Sequence, residues 1–193
     1  MAPAALMPLR AGAQVNPEAA PGPSPGASSL KYTGYAGFAY TSLNQVNTSE
    51  AGLIGGKVSL TRDWGKYFGL TGAIDYCKPP LKHTSLPNPG DPSVYSLLIG
   101  PEIHVRIYEN LSGMFLGELG VEHTGGESMN PSTSFAGGFG GGMEYSLGTH
   151  FAVRAEGDRV AASFSLIGNS PQLNYSAHRT WNARASFGVA YHF

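Results

Sequence analysis

Thr180-Trp-Asn-Ala-Arg-Ala-Ser-Phe-Gly-Val-Ala-Tyr-His-Phe193 alternates between two kinds of side chain along its whole length. The first face carries Trp181, Ala183, Ala185, Phe187, Val189, Tyr191 and Phe193, and the second carries Asn182, Arg184, Ser186, Gly188, Ala190 and His192. A period of two predicts a β-strand between an apolar and a polar environment. The segment is long enough to cross a bilayer at a tilt, which takes roughly 9–11 residues. Aromatic side chains near both ends of the apolar face suit two membrane–water interfaces.

The composition of the chain agrees with a membrane-spanning β-structure. Only 13% of the 193 residues are charged, about half of the ~25% that is usual in soluble domains. Aromatic residues reach 11%, and 27 residues are glycine, roughly twice the average share of ~7%. A net charge of -1 gives no electrostatic reason to expect a nucleic-acid partner. A single cysteine excludes an intrachain disulfide and a cysteine-based zinc site.

The chain divides into a leader and one domain. Residues 1–30 hold six of the 14 prolines among Ala, Gly and Ser, which predicts a disordered leader because such a segment cannot bury enough apolar surface. Within it, Ala11-Gly-Ala13 has the small-x-small form of a signal-peptide cleavage site. We interpret the leader as the remnant of a signal peptide plus a linker, with a plain disordered N-terminus as the alternative. Residues 31–193 form the predicted barrel domain.

Seven more two-faced segments precede the last one, and all have strand length. They span about 32–42, 55–64, 68–76, 94–107, 114–123, 135–146 and 151–160. Short connections around Gly65, Asn110 and Gly148 alternate with longer ones at 43–54, 77–93, 124–134 and 161–179. Tight turns on one side and long loops on the other are typical of transmembrane barrels. We therefore predict an all-β fold, an eight-stranded antiparallel transmembrane β-barrel with an up-and-down meander.

The charged residues of the strands indicate which face is the interior. They share one face with Ser, Thr and Gly, and the opposite face is aliphatic and aromatic. A soluble lipocalin-like barrel, with the apolar face inside, is the alternative orientation. In the membrane orientation, the interior of eight strands has room for side chains only, and buried charges must be paired. The predicted lumen charge network consists of Lys57, Glu102, Arg106, Glu118, Glu122, Glu144, Arg154, Glu156, Asp158 and Arg184.

Four short segments together carry a family resemblance. They are Leu98-Ile-Gly-Pro-Glu102, Phe139-Gly-Gly-Gly-Met-Glu-Tyr145, Val153-Arg-Ala-Glu-Gly-Asp158 and Ser186-Phe-Gly-Val-Ala-Tyr-His-Phe193. With them, residues 32–193 resemble the OmpA-like small outer-membrane β-barrel proteins, the bacterial outer membrane protein beta-barrel domain family. We expect no peptidoglycan-binding domain after Phe193, so the wall anchoring of two-domain members is not carried over.

The resemblance implies a place in the cell and several partners. It implies an integral protein of the bacterial outer membrane, exported through the periplasm and surrounded by outer-membrane lipid. The short turns would then be periplasmic and the long loops external. The last strand, with Tyr191 and Phe193, would be the assembly signal that the barrel assembly machinery recognises.

The expected function is structural or a surface interaction, with a polar filled lumen and an extracellular ligand bound by the external loops. The alternative is a narrow channel for ions or small solutes, gated by the lumen salt bridges. We expect no enzyme, although a barrel that modifies lipid A is a minor alternative with His83-Thr-Ser85 as its only candidate group. The six histidines lack metal-ligand spacing, and Gly137–Gly142 lacks the strand-to-helix context of a phosphate loop. No catalytic, cofactor or metal site is therefore predicted.

Overall fold

The computed structural model describes most of the predicted barrel domain. It covers residues 31–43, 51–78, 91–127, 131–162, 165–167, 174–176 and 180–193. The predicted leader, residues 1–30, and parts of all four long connections lie outside these ranges. No helix in the described part of the chain is long and apolar enough to cross a bilayer.

Strands account for nearly all of the described residues. They are β1 (Tyr32–Leu43), β2 (Ala51–Trp64), β3 (Phe68–Lys78), β4 (Asp91–Arg106), β5 (Leu111–Glu127), β6 (Ser132–Ser146), β7 (Phe151–Ala162), β8 (Ser165–Ile167), β9 (Asn174–Ser176) and β10 (Thr180–His192). Eight of them form a closed barrel in the order β1-β10-β7-β6-β5-β4-β3-β2, and every neighbouring pair is antiparallel. The prediction of an eight-stranded antiparallel meander is confirmed.

The barrel closes where its first and last strands pair. Thr33 lies opposite His192, and the register continues to Ser42 opposite Ala183. The backbone of Phe193 extends the seam, because its N–H donates to the carbonyl oxygen of Tyr32 at 2.9 Å. Closure gives each of the eight barrel strands two partners, which satisfies the backbone groups that hydrocarbon cannot solvate.

Several strands are longer than their sequence pattern predicted. β4 begins at Asp91 and β5 ends at Glu127, where the two residues pair with each other, whereas the predicted strands were 94–107 and 114–123. The extensions are polar, so the alternation of apolar residues stops while the backbone ladder continues. The predicted loop 161–179 also contains the short antiparallel pair β8 and β9, and each of these strands is too short to show a period in the sequence.

Burial is inverted relative to a soluble protein. The aromatic side chain of Phe38 is 80% exposed and that of Phe115 is 64% exposed, whereas Arg154 is 1% and Lys57 3% exposed. A soluble barrel with this arrangement would leave its large apolar residues in water and bury its charges, both at high cost. The lipocalin-like alternative is therefore wrong. The outward-facing aliphatic and aromatic side chains of the barrel strands, such as Phe38 and Phe115, form an apolar belt, and this belt is the lipid-facing surface.

Aromatic residues ring both ends of the belt. At the end with the short turns, Phe193 stacks between Tyr32 at 5.7 Å and Tyr191 at 6.0 Å, measured between ring centroids. At the end with the long connections, Tyr76 stacks on Tyr95 at 4.5 Å. Amphipathic rings prefer the two membrane–water interfaces, so the pairs locate the edges of the bilayer on the barrel wall.

Glycines on the inner face allow the strands to curve tightly. A Cβ on Gly55 would collide with the carbonyl oxygen of Tyr76, and a Cβ on Gly100 would collide with that of Gly117. At these two positions the neighbour is backbone, so the glycine is required by the close approach of adjacent strands.

Candidate functional site: the charged interior of the barrel

The interior contains more buried acids than buried bases. Among the described residues, the acidic side chains are Asp75, Glu102, Glu118, Glu122, Glu144, Glu156 and Asp158, and the basic ones are Lys57, Arg154 and Arg184. We call these ten residues the observed lumen charge network; they differ from the predicted set by having Asp75 in place of Arg106. They reach the interior because each lies on the inward-facing side of its strand, and most of their outward-facing neighbours are apolar. Seven acids against three bases give the interior an anionic character.

Arg184 of β10 crosses the barrel. Its Nη1 donates to Ser96 Oγ at 2.9 Å, and β4, which carries Ser96, is the strand opposite β10 in the closed sheet. Its Nη1 and Nη2 also lie 3.2 Å from Asp75 Oδ2 and 3.3 Å from Glu118 Oε2. Its Nε donates to Asp158 Oδ1 at 2.7 Å. One guanidinium therefore joins four other strands through the middle of the lumen.

Arg154 of β7 forms a second cross-connection, nearer the end with the short turns. Its Nη2 lies 2.7 Å from Glu144 Oε2, and its Nη1 lies 3.5 Å from Glu102 Oε1 and 3.4 Å from Glu156 Oε1. The guanidinium carbon also lies 5.6 Å from the ring centroid of Tyr35, within cation–π distance. Arg154 thus ties β7 to β6, β4 and β1.

Lys57 of β2 links the two arginine clusters. Its Nζ lies 2.7 Å from Glu156 Oε2 and 3.6 Å from Asp158 Oδ2. Both carboxylates lie on β7, three strands away around the barrel. Because Glu156 also contacts Arg154 and Asp158 also contacts Arg184, the three bases and their acids form one connected set.

Two threonines hold Glu102 from the side. Thr61 Oγ1 donates to Glu102 Oε2 at 3.2 Å, and Thr71 Oγ1 donates a short hydrogen bond to the same oxygen. His104 Nε2 lies 3.2 Å from Glu102 Oε1 and 3.4 Å from Asp63 Oδ1. This cluster extends the network toward the end with the short turns.

His192 forms a similar cluster beside the β1–β10 seam. Its Nδ1 lies 3.0 Å from Thr33 Oγ1, and its Nε2 lies 3.0 Å from Glu144 Oε1. Hydroxyl, imidazole and carboxylate occur in this order in hydrolases. Thr33 is only 2% exposed, and its hydroxyl also lies 3.3 Å from Asp63 Oδ2, so its oxygen is enclosed between two polar partners. The arrangement fits a structural hydrogen-bond chain.

The structure separates the predicted network residues into two groups. It brings Lys57, Glu102, Glu118, Glu144, Arg154, Glu156, Asp158 and Arg184 together through the contacts given above. Arg106 is exposed at the last position of β4, and its Nη2 donates to the carbonyl oxygen of Glu109 at 2.7 Å. The prediction that Arg106 belongs to the lumen is therefore wrong, because side-chain alternation along a strand does not reveal where the barrel ends. Glu122 is buried but forms no ion pair within the described part of the chain.

Asp75 was absent from the predicted network although it contacts Arg184. In the sequence, Asp75 alternates onto the same face of its strand as Thr71 and Ala73. His104 and His192 were also omitted, and both share the polar face of their strands. The sequence pattern gives no distances between residues on different strands. Alternation assigns each residue to a face but does not show which residues on distant strands meet.

The interior also contains aliphatic side chains, mainly toward the end with the long connections. Leu53, Leu98 and Val160 are fully buried. They belong to a cluster that also contains Ala39, Cys77, Val94, Ala136 and Ala162. The predicted polar lumen therefore also holds an aliphatic cluster toward the long-connection end, beside buried polar side chains such as Thr41, Glu122, Thr124 and Asn182.

The described residues contain no cluster of three or more His, Cys, Asp or Glu side chains that could hold a metal ion. The candidate group His83-Thr-Ser85 lies outside the described residues.

Comparisons with known proteins agree on the fold. No protein-family model matches the chain, and no curated protein sequence matches it. Neisserial surface protein A is similar in structure, with a TM-score of 0.66, 11% identity, and coverage of 84% of this chain and 97% of that chain. Ail, the attachment invasion locus protein of Yersinia pestis, is similar with a TM-score of 0.59, 16% identity, and coverage of 85% and 99%.

A third similar structure was determined in a membrane. The outer membrane protein AlkL in DMPC lipid bilayers has a TM-score of 0.50 and 13% identity, and the match covers 91% of this chain and 96% of that chain. At these identities the likeness concerns the fold. The closed eight-stranded meander, the apolar belt and the buried charges are properties of this chain itself. The chain therefore has the fold and the inverted burial of a small, OmpA-like outer-membrane β-barrel.

Proposed function

We propose that this barrel is a closed membrane anchor and that its function is structural or a surface interaction at the end with the long connections. The observation that carries the proposal is the position of Arg184, which bonds to groups on β3, β4, β5 and β7 across the lumen. A hydrated ion path through this level would have to separate a buried guanidinium from three carboxylates. Removing the partners of a buried charge costs several kcal/mol.

Planar-bilayer recording tests the proposal directly. The purified and refolded protein should insert and give no steady conductance. Heat-modifiable gel migration of the same sample confirms that the barrel is folded. A steady conductance in folded protein would contradict the closed lumen.

A narrow channel gated by the lumen salt bridges is the second candidate. The excess of acidic over basic side chains in the lumen favours a channel for cations, since rings of acidic side chains attract cations. The aliphatic cluster with Leu53 and Leu98 opposes it, because apolar side chains in the lumen add a barrier to ions.

The composition of the external segments indicates the kind of partner. Residues 43–54, 77–93, 124–134 and 161–179 contain three basic residues, Lys78, Lys82 and Arg179, and three acidic ones, Glu50, Asp91 and Glu127. Ail has been solved in complex with the heparin analogue sucrose octasulfate. A polyanion of that kind calls for an excess of positive charge, which these segments lack. We therefore favour a partner with little net charge, recognised through Asn, Ser, Thr and Gln side chains.

Binding assays with cells separate these partners. Cells that display the protein should not gain binding to immobilised heparin at physiological salt relative to cells that lack it. Binding to heparin that weakens as salt is raised would contradict a partner with little net charge.

The end of β10 is the proposed contact for the barrel assembly machinery. Tyr191 and Phe193 are 43% and 50% exposed on the outer wall, at the end with the short turns. Their rings are therefore accessible before lipid surrounds the barrel, which supports a role in recognition beyond packing.

A further inference from the structure

A groove interrupts the lipid-facing wall across β5, β6, β7 and β10. It is open to the outside and has a volume of about 500 Å³. Outward-facing residues that line it include Phe115, Phe139, Gly141, Gly157, Ala183 and Arg159.

The groove exists because small residues are adjacent on neighbouring strands. Gly141 of β6 pairs with Gly157 of β7, so two adjoining outward positions carry no side chain. Phe115 is 64% exposed and Phe139 59% exposed, so both rings project outward beyond the two glycines. In the membrane, an unfilled groove would forfeit the dispersion contacts of its lining. Its apolar walls suit an acyl chain.

Arg159 supplies a charge at one end of the groove. It is exposed on the outer wall, beside Ala183 of β10 and Phe139 of β6. None of the ion pairs, hydrogen bonds or cation–π contacts among the described residues involves Arg159. Arg62, another outward-facing arginine, differs in this respect, since its guanidinium lies 5.7 Å from the ring centroid of Trp64.

The depth of Arg159 places its charge near the external headgroups. Phe151 begins β7 at the short-turn edge of the belt, and Arg159 lies eight positions further along the strand. With a rise of about 3.3 Å per residue and a tilt of about 40°, Arg159 lies roughly 20 Å above that edge. The apolar band is about 25 Å tall, so a long arginine side chain reaches the headgroup level by extending upward.

We propose that the groove binds a phosphorylated lipid of the external leaflet, with an acyl chain on Gly141 and Gly157 and the phosphate on Arg159. A planar guanidinium binds phosphate oxygens in a bidentate manner, and Arg159 has no competing partner among the described residues. A lipid is the occupant because the face lies inside the apolar belt, where the bilayer itself surrounds it. This site is separate from the surface interaction proposed above.

Native mass spectrometry of the refolded barrel, released from detergent, tests the site with dimyristoyl phosphatidic acid as the probe. Dimyristoyl glycerol, which has the same chains without the phosphate, is the neutral comparison. The barrel should retain phosphatidic acid with 1:1 stoichiometry in preference to the neutral lipid. Arg159→Gln should lower the retained fraction about tenfold, the ratio expected for loss of one charge-assisted hydrogen bond. Gly157→Leu should lower it as well by filling the groove.

Matched variants on other parts of the outer wall serve as controls. Gly72 of β3 lies on the opposite side of the barrel, and a Cβ there meets nothing within 4 Å, as at Gly157, where the nearest atom is 4.0 Å away. Gly72→Leu and Arg62→Gln should leave retention unchanged, and all variants should show the folded gel migration. Equal losses from Arg159→Gln and Arg62→Gln, or full retention by Gly157→Leu, would overturn the proposal.

A second copy of the chain is the competing occupant. Ala183→Cys in a Cys77→Ala background places a thiol in the groove. In bilayers, the proposal expects no disulfide-linked dimer above the level given by a Gly72→Cys control. Efficient dimer formation through Ala183→Cys would show a self-association face and overturn the lipid site.

Discussion

Arg184 and Ser96 lie on opposite strands of the closed sheet, and their side chains meet in the lumen at 2.9 Å. The barrel therefore has no central open space at this level. The same guanidinium contacts Asp75, Glu118 and Asp158. Two opposite walls and three of the strands between them are thereby held by one side chain, which makes Arg184 a sensitive point of the interior.

Arg184→Ala should strongly destabilise the barrel. It leaves three buried carboxylates without their principal partner, and breaking a buried pair in this way costs about 3–5 kcal/mol. Urea unfolding in lipid vesicles measures the change. Arg106→Ala is the matched control, since Arg106 is exposed, and its loss should cost less than about 1 kcal/mol. Similar costs for the two variants would contradict a structural role of the network.

Any ion leak through the Arg184→Ala barrel should favour cations. The variant keeps seven buried acids against two buried bases, Lys57 and Arg154, among the described residues. Acidic linings select cations over anions. The reversal potential in a KCl gradient measures the preference, and an anion-selective leak would contradict the predicted charge of the lumen.

Leu119→Arg should destabilise the protein in bilayers by about 2–4 kcal/mol if the site is near the midplane. Leu119 is 58% exposed on the outer wall, so the new charge would face hydrocarbon. Tyr108→Arg is the control, because Tyr108 is 72% exposed in a short turn beyond the apolar belt. Urea titration of both variants in vesicles checks the prediction. A harmless arginine at Leu119 would reverse the assignment of inside and outside.

Gly100→Ala should impair barrel closure. The added methyl group collides with the carbonyl oxygen of Gly117 on the adjacent strand, and overpacking of this kind costs about 1–3 kcal/mol or more. Gly72→Ala adds the same methyl group where nothing lies within 4 Å and should be neutral. The folded fraction on a heat-modifiable gel compares the two. Equal folded fractions would show that the strands can separate without cost.

Phe193→Ala should reduce the amount of assembled protein in cells while leaving refolding in lipid nearly intact. The ring is 50% exposed, so packing accounts for only part of the ~1.5–3 kcal/mol of a fully buried aromatic residue. Tyr32→Ala removes the same stacking contact from the other side and should assemble normally. The level at the cell surface separates the two variants. Equal losses would assign Phe193 a packing role alone and remove the proposed assembly signal.

Alternation along the strands was sufficient to predict the architecture. In Thr180–Phe193 the period of two assigns each residue to a face, and eight such segments joined by alternating short and long connections leave few folds other than a membrane barrel. The faces of Phe38, Lys57 and Arg154 follow in the same way. This information is local, because a strand directs successive side chains to opposite sides wherever it lies.

Contacts between distant strands were decided only by the tertiary structure. The register of closure, the tilt and the curvature determine that Arg184 reaches Ser96 and Asp75, that Arg106 lies beyond the lumen, and that Gly141 and Gly157 adjoin below Arg159. Each of these depends on how far one strand slides past the next. Side-chain alternation recurs at every second residue and does not specify that shift, whereas closure of the eight-stranded sheet couples all the shifts, because together they must add up to the stagger of the barrel.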